Sequence, residues 1–145
     1  MSEGRLLTIA EAPRRARIIV CGGRDFGVPP YDLLDRSEAE HVAAREREFL
    51  FATLDSLDPE EIAHGAAKGA DSLAGEWAAL RQRPCARFPA LWNVHGRKRA
   101  GPMRNRRMFA DFDPSGVVSF RGGFGTADME NVALEGGAWL VRARC

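Results

Sequence analysis

The stretch Val117 to Val132, VVSFRGGFGTADMENV, constrains this chain more than any other. An apolar run (Val117, Val118, Phe120) breaks at Gly122-Gly123, passes through Phe124-Gly125-Thr126, and takes up helical spacing at Met129, Val132 and Ala133. That order predicts a buried strand, a glycine turn and a helix start. Glycine is needed where backbone adopts positive φ or comes within van der Waals reach of a ligand, and Thr126 is placed to cap the first amides of the helix. Those amides, with the helix dipole behind them, suit phosphate or carboxylate. The arrangement recurs. Gly22-Gly23-Arg24-Asp25 follows Ile18-Ile19-Val20-Cys21, and His64-Gly65-Ala66-Ala67-Lys68-Gly69-Ala70-Asp71 lies between Ile62 and a helix carrying Leu73 and Trp77.

In chain order, residues 1–15 lack sustained periodicity and read as a loose leader or a marginal extra strand. Residues 16–145 read as one domain. Ala16 to Cys21 is apolar without alternation, the pattern of a strand buried on both faces and hence central in a parallel sheet. Pro29-Pro30 forbids helix locally, and Ser37-Glu38-Ala39-Glu40 reads as a capping box opening a helix to about Ser56. Leu50, Leu54 and Leu57 form its packing face, whereas the charges from Glu38 to Glu48 read as a solvated extension. Glu61 to His64 supplies a second strand. The next helix, capped by Asp71 or Ser72, packs Leu73, Trp77 and Leu80 and stops at Pro84. Cys85 to Phe88 is a third strand, and Leu91 to Ala100 an irregular loop. Gly101-Pro102 opens a helix with proline at its favoured first position, and there Asn105 shares a face with Met108, Phe109 and Phe112. Such an asparagine must find partners at the strand ends. After the strand at Val117, Gly136-Gly137 closes the last helix before a fifth strand over Ala138 to Val141.

Five strands alternating with helices imply a doubly wound, mainly parallel five-stranded α/β sheet of Rossmann-like type, with right-handed crossovers and helices on both faces. All the glycine turns then fall on its carboxyl edge, where such sheets bind ligands at the switch in strand order. With a central first strand, the turns at Gly22-Gly23 and Gly122-Gly123-Phe124-Gly125 become neighbours. From His95 to Ala110 there are six basic residues and no acid, and five of the six (Arg97, Arg99, Arg104, Arg106, Arg107, beside Lys98) are arginine, whose planar fork suits phosphate oxygens.

Composition limits the alternatives. The 145 residues carry 21 basic and 20 acidic side chains, so total charge names no partner. A chain of this length buries about 68–70% of its unfolded surface and needs no staples. Cys21, Cys85 and Cys145 are scattered, which argues against disulfides and structural zinc; the three histidines form no metal constellation, and no metal is expected. His41 reads as solvated, His64 as a hydrogen-bonded edge residue or an acid/base, and His95 as a possible pocket residue. Trp77 reads as core, Cys21 as buried and inert, and Trp92 as a stacking surface for a base or a lid contact. No window approaches a membrane span, and a cytoplasmic protein with no membrane partner is expected.

The segments GGRDF (22–26), HGAAKGADSLAGEWA (64–78), GPMRNRRM (101–108) and GGFGTADM (122–129), in this order, resemble the YspA or cpYpsA-related branch of the SLOG superfamily, over roughly Ala16 to Val141. That superfamily includes the LOG phosphoribohydrolases and the DNA-processing protein A family. The resemblance implies a Rossmann-like fold that binds nucleotides or derivatives of the NAD or ADP-ribose type, with no further cofactor required. LOG enzymes carry Pro-Gly-Gly-x-Gly-Thr-x-x-Glu and an arginine in Met-x-x-Arg-Lys. Here the arginine position is Arg106 and the loop is kept from Gly122 to Thr126, but Arg121 replaces the proline and Met129 the glutamate. Hydrolysis of an N-glycosidic bond is commonly given to a carboxylate, which Met129 is not, leaving Asp71 or Glu130.

Three functions are thus compatible with the sequence. The first is a nucleotide-ligand binding or sensing domain, in which Gly22, Gly23, Gly122, Gly123, Gly125 and Thr126 cradle phosphate and Arg24, Arg104 and Arg106 supply charge, with Asp25, His64, Gly65, Lys68, Gly69, Asp71 and Asn105 also at the ligand edge. Asp25 could equally pair with Arg24. The second is an N-glycosidase for a nucleoside monophosphate or NAD derivative, with Arg106 as anchor and Asp71 or Glu130 as the catalytic carboxylate. The third is nucleic-acid binding through Arg97 to Arg107. Phe49, Leu50 and Phe51 read as surplus apolar surface which, with the resemblance, suggests a homodimer.

Overall fold

The computed structural model describes residues 4–145 and contains five strands and five helices among them. They run β1 (Arg17–Cys21), α1 (Arg36–Leu57), β2 (Glu61–His64), α2 (Ala70–Arg81), β3 (Cys85–Arg87), α3 (Trp92–His95), α4 (Ala100–Phe112), β4 (Gly116–Ser119), α5 (Phe124–Glu135) and β5 (Trp139–Arg142). The sheet has the order β3-β2-β1-β4-β5 and every pairing is parallel. β1 is central, as its unbroken apolar run requires, because side chains of a parallel strand meet helices on both faces.

Alternation along the strands divides the core in two. Ile18, Val20, Ile62, Val118 and Phe120 pack under Leu50, Leu54 and Leu57 of α1 and Leu73 and Trp77 of α2. Ile19, Cys21, Ala63 and Val117 face the other way, onto Met108 and Phe112 of α4 and Met129, Val132 and Ala133 of α5. The helices after β1 and β2 thus cover one face and those flanking β4 the other. The order in which strands are added reverses between β1 and β4, and their carboxyl ends, in register at Cys21 and Ser119, form the switch point.

Several local expectations are corrected. α1 is capped by Asp35, whose carboxylate accepts from the amides of Ser37 and Glu38, so no capping box forms at Ser37. The charged half of α1 is not wholly solvated: Ala39, Ala43 and Glu46 are buried, and Glu46 binds Arg121 and the Gly27 amide. Leu80 is exposed, because α2 turns it away from the sheet. The loop after β3 contains the short helix α3. Phe49 and Phe51 are partly buried against the core of this chain, Phe49 edge-on to Phe120 at 6.0 Å. The described part of the leader lies against β5: Leu7 donates to Leu140, Leu140 to Arg5, and Leu6 bridges Leu140 in parallel. That is one bridge, not a sixth strand, and residues 1–3 lie outside the described residues. No helix among the described residues is long and apolar enough to cross a membrane.

Candidate functional site

At the switch point the three glycine loops are knitted together by backbone bonds. Gly23 donates to Arg121 O at 2.8 Å, and Gly23 O accepts from Phe26 at 3.2 Å and Ala70 at 3.1 Å. These bonds require small residues. A Cβ on Gly22 would lie 2.5 Å from the Ala70 Cβ, one on Gly122 would overlap Thr126 Oγ1, and one on Gly69, at φ +77°, would overlap Gly23 O. Gly22, Gly23, Gly69 and Gly122 therefore serve close packing of loops, and the Gly23 amide is not free for an anion. Gly123 and Gly125 differ. A Cβ on either would meet nothing within 4 Å.

The knitted loops leave a cleft of about 310 Å³, lined among others by Cys21, Gly23, Arg24, Asp71, Arg104, Asn105, Gly123, Gly125 and Thr126. Gly123, not Thr126, is the N-cap of α5, and no side chain caps that helix. The amides of Phe124, Gly125 and Thr126 have no partner within the helix by position, and they carry the positive end of its dipole.

Arg104, from the buried side of α4, crosses to the β2 loop. It donates through Nη1 to Gly65 O, and through Nε to Asn105 Oδ1 at 2.9 Å. A Cβ on Gly65 would overlap this guanidinium, so Gly65 makes room for the arginine, and it also lines the cleft. Nη2 of Arg104 engages no acceptor among the described residues. Asn105 is buried, and its Nδ2 reaches Gly125 O at 3.2 Å and Asp128 Oδ2 at 3.0 Å, so its partners are on α5 rather than at the strand ends.

Asp71 does not cap α2, whose N-cap is Gly69. Instead its Oδ2 accepts from the amides of Gly65 and Ala67, each at 3.1 Å, and so shapes the loop before the helix. Burial raises this carboxyl to about 6, opposed by those two amides, Arg104 and Arg24. Burial likewise presses Arg104 below its usual range, with Asp71 opposing. The Cys21 thiol on the cleft floor is pushed well up by burial and is inert.

The remaining expected residues lie elsewhere. His64 is buried with Nδ1 accepting from the Ala66 amide at 2.9 Å, and burial with Arg87 and Arg104 nearby lowers it to about 4. It is a neutral edge residue facing Gly75, outside the cleft. Lys68 is exposed and lines neither this cleft nor its neighbour. Asp25 pairs with Arg121 at 3.2 Å, not with Arg24. Glu130 is buried beyond the cleft, accepting from Ser119 Oγ and flanked by Arg142 and Arg144, so it is no catalytic partner for this cleft. Arg106 is bound to Asp128 at 3.1 Å and mostly exposed, away from the cleft lining. Met129 is fully buried under the sheet.

A second cleft, of about 700 Å³, adjoins the first through Arg24, Arg104 and Gly125. Its lining includes Trp92, Arg97, Lys98 and Phe124, with Arg24 lying over the Trp92 ring at 5.4 Å. Phe124 is a lining residue that the sequence motifs do not single out. The available signal was its place between Gly123 and Gly125, where a large side chain must project from the turn.

Fold and site together define a doubly wound, Rossmann-like α/β protein with a polar cleft at the carboxyl switch point. The chain belongs to the YspA, cpYpsA-related SLOG family, whose pattern it matches over residues 16–95, more than half its length. The α4 and α5 segments of the cleft lie beyond that match. No curated protein and no solved structure matches the chain.

Proposed function

We propose that the inner cleft binds the phosphate of a nucleotide or nucleotide-derived ligand, of the nucleoside monophosphate or NAD/ADP-ribose type. The carrying observation is the meeting of uncapped α5 amides, the open faces of Gly123 and Gly125, and the Arg104 guanidinium in one small cleft. Membership of the SLOG family supports a nucleotide-related ligand. The test is titration calorimetry with a nucleotide panel, preceded by mass spectrometry of whatever small molecule co-purifies. Gly123→Val should keep the fold, since its side chain meets open space, and should reduce affinity at least tenfold by filling the phosphate seat. Equal binding by wild type and variant removes the cradle assignment.

Asp71 favours a second reading, N-glycosidic hydrolysis. A carboxylate lining the cleft with a pKa of about 6 is suited to take a proton from water attacking the anomeric carbon as the base departs. Release of free base from the same panel, lost in Asp71→Asn, supports it. Binding without turnover removes it.

A further inference from the structure

Phe124 is 98% exposed, and it stands at the first residue of α5, between Gly123 and Gly125 of the inner cleft and itself lining the outer one. Leaving a phenylalanine in water forgoes the stabilisation that burial gives, so its position needs a reason that folding does not supply. Trp92, 43% exposed, lines the same outer cleft from the short helix α3. The basic groups there are Arg24, Arg97, Lys98 and Arg104, none of which has a carboxylate partner among the described residues. The acid of the lining, Asp128, is engaged by Arg106 and Asn105. The outer cleft thus offers aromatic faces and positive charge, and it opens into the inner cleft along Arg24 and Gly125.

Resting on the phosphate assignment above, we infer that the outer cleft is a stacking subsite for the planar heteroaromatic base of the ligand, with Trp92 and Phe124 as its stacking surfaces. Base faces stack on aromatic rings whatever the base, so these residues supply affinity for a nucleobase without selecting one. Arg24 spans both clefts and is placed to serve phosphate on one side and ring on the other. Neither residue is needed by the core, which lets both be changed without unfolding the protein.

The experiment compares ribose 5-phosphate with AMP, by calorimetry on the full chain, for wild type, Phe124→Ala and Trp92→Ala. Wild type should bind AMP roughly ten- to a hundredfold more tightly than ribose 5-phosphate, and each alanine variant should bring that ratio toward one. AMP should also quench tryptophan fluorescence in wild type and not in Trp92→Phe, since Trp77 is sealed in the core and Trp139, at the start of β5 against Gly116, lies at the opposite edge of the sheet from both clefts. Equal affinity for the two probes in wild type, or a ratio unmoved by both alanine variants, overturns the stacking subsite while leaving the phosphate seat intact. Binding of neither probe overturns both.

Discussion

At the residue scale, Asp71 and His64 set opposing pH dependences on the same loop. The Asp71 carboxyl is raised by burial to about 6 from an unfolded value of about 3.9. The folded state therefore holds the extra proton between those values, so this group favours folding below about pH 4 and the contribution is lost as pH rises through 6. His64 is lowered to about 4 from about 6.5, so its contribution is present above 6.5 and is lost as pH falls through 4. The two trends oppose one another between about pH 4 and 6. Asp71→Asn should expose the histidine trend alone, giving stability that climbs by about 2–3 kcal/mol from pH 4 to 6.5 in urea titrations. The same variant should exceed wild type by about 1–2 kcal/mol at pH 7.5, where wild type must keep a buried carboxylate ionised. A variant that is less stable at pH 7.5, with the wild-type profile, would rule out the buried-charge account. A stability cost held in place at a cleft is the kind of feature expected of a functional residue.

At the element scale, the turn between β4 and α5 uses chemically identical glycines for different ends. Gly122 sits where a Cβ would overlap Thr126 Oγ1 and come 2.7 Å from the Gly23 amide, the donor that ties the β1 loop to Arg121. Gly122→Ala should therefore cost about 1–3 kcal/mol of overpacking strain. Gly125 lies in the first turn of α5 facing open space, and Gly125→Ala should be neutral or stabilising by up to about 1 kcal/mol. Thermal unfolding of the two variants side by side checks both signs. Similar losses in both would mean that the turn tolerates no Cβ at all, and the distinction between packing and open glycines would fall. The sequence marks the turn; which glycine faces the cleft depends on the loop opposite it.

At the scale of the whole molecule, the basic run from Arg97 to Arg107 is divided by its loop and helix, Arg97, Lys98 and Arg104 lining the outer cleft while Arg106 and Arg107 line neither cleft. Arg104 is drawn inward to Gly65 O, Arg106 is held by Asp128, Arg107 donates to Pro89 O, and Arg97 and Lys98 line the outer cleft. With a formal net charge of +1, the molecule has little long-range attraction for a polyanion. A mononucleotide's affinity should accordingly fall less than about tenfold between 50 and 200 mM salt, whereas a nucleic-acid ligand contacting many phosphates would lose about 10³-fold or more. A steep slope with oligonucleotides bound more tightly than AMP would favour the nucleic-acid reading instead. Much of the architecture is legible in the sequence. Non-alternating β1, the helical spacing of Leu50, Leu54 and Leu57, and glycines at strand ends are local patterns imposed by burial and backbone sterics, and they dictated a parallel sheet with its loops on one edge. Local pattern could not say which polar side chains share a cleft. His64 and Asp71 both flank the same loop, yet one turns under α2 and the other toward Arg104, while Glu130, two residues after Asp128, is buried with Ser119. Those directions follow from contacts between segments tens of residues apart, and so the members of the site were decided only when the chain closed on itself.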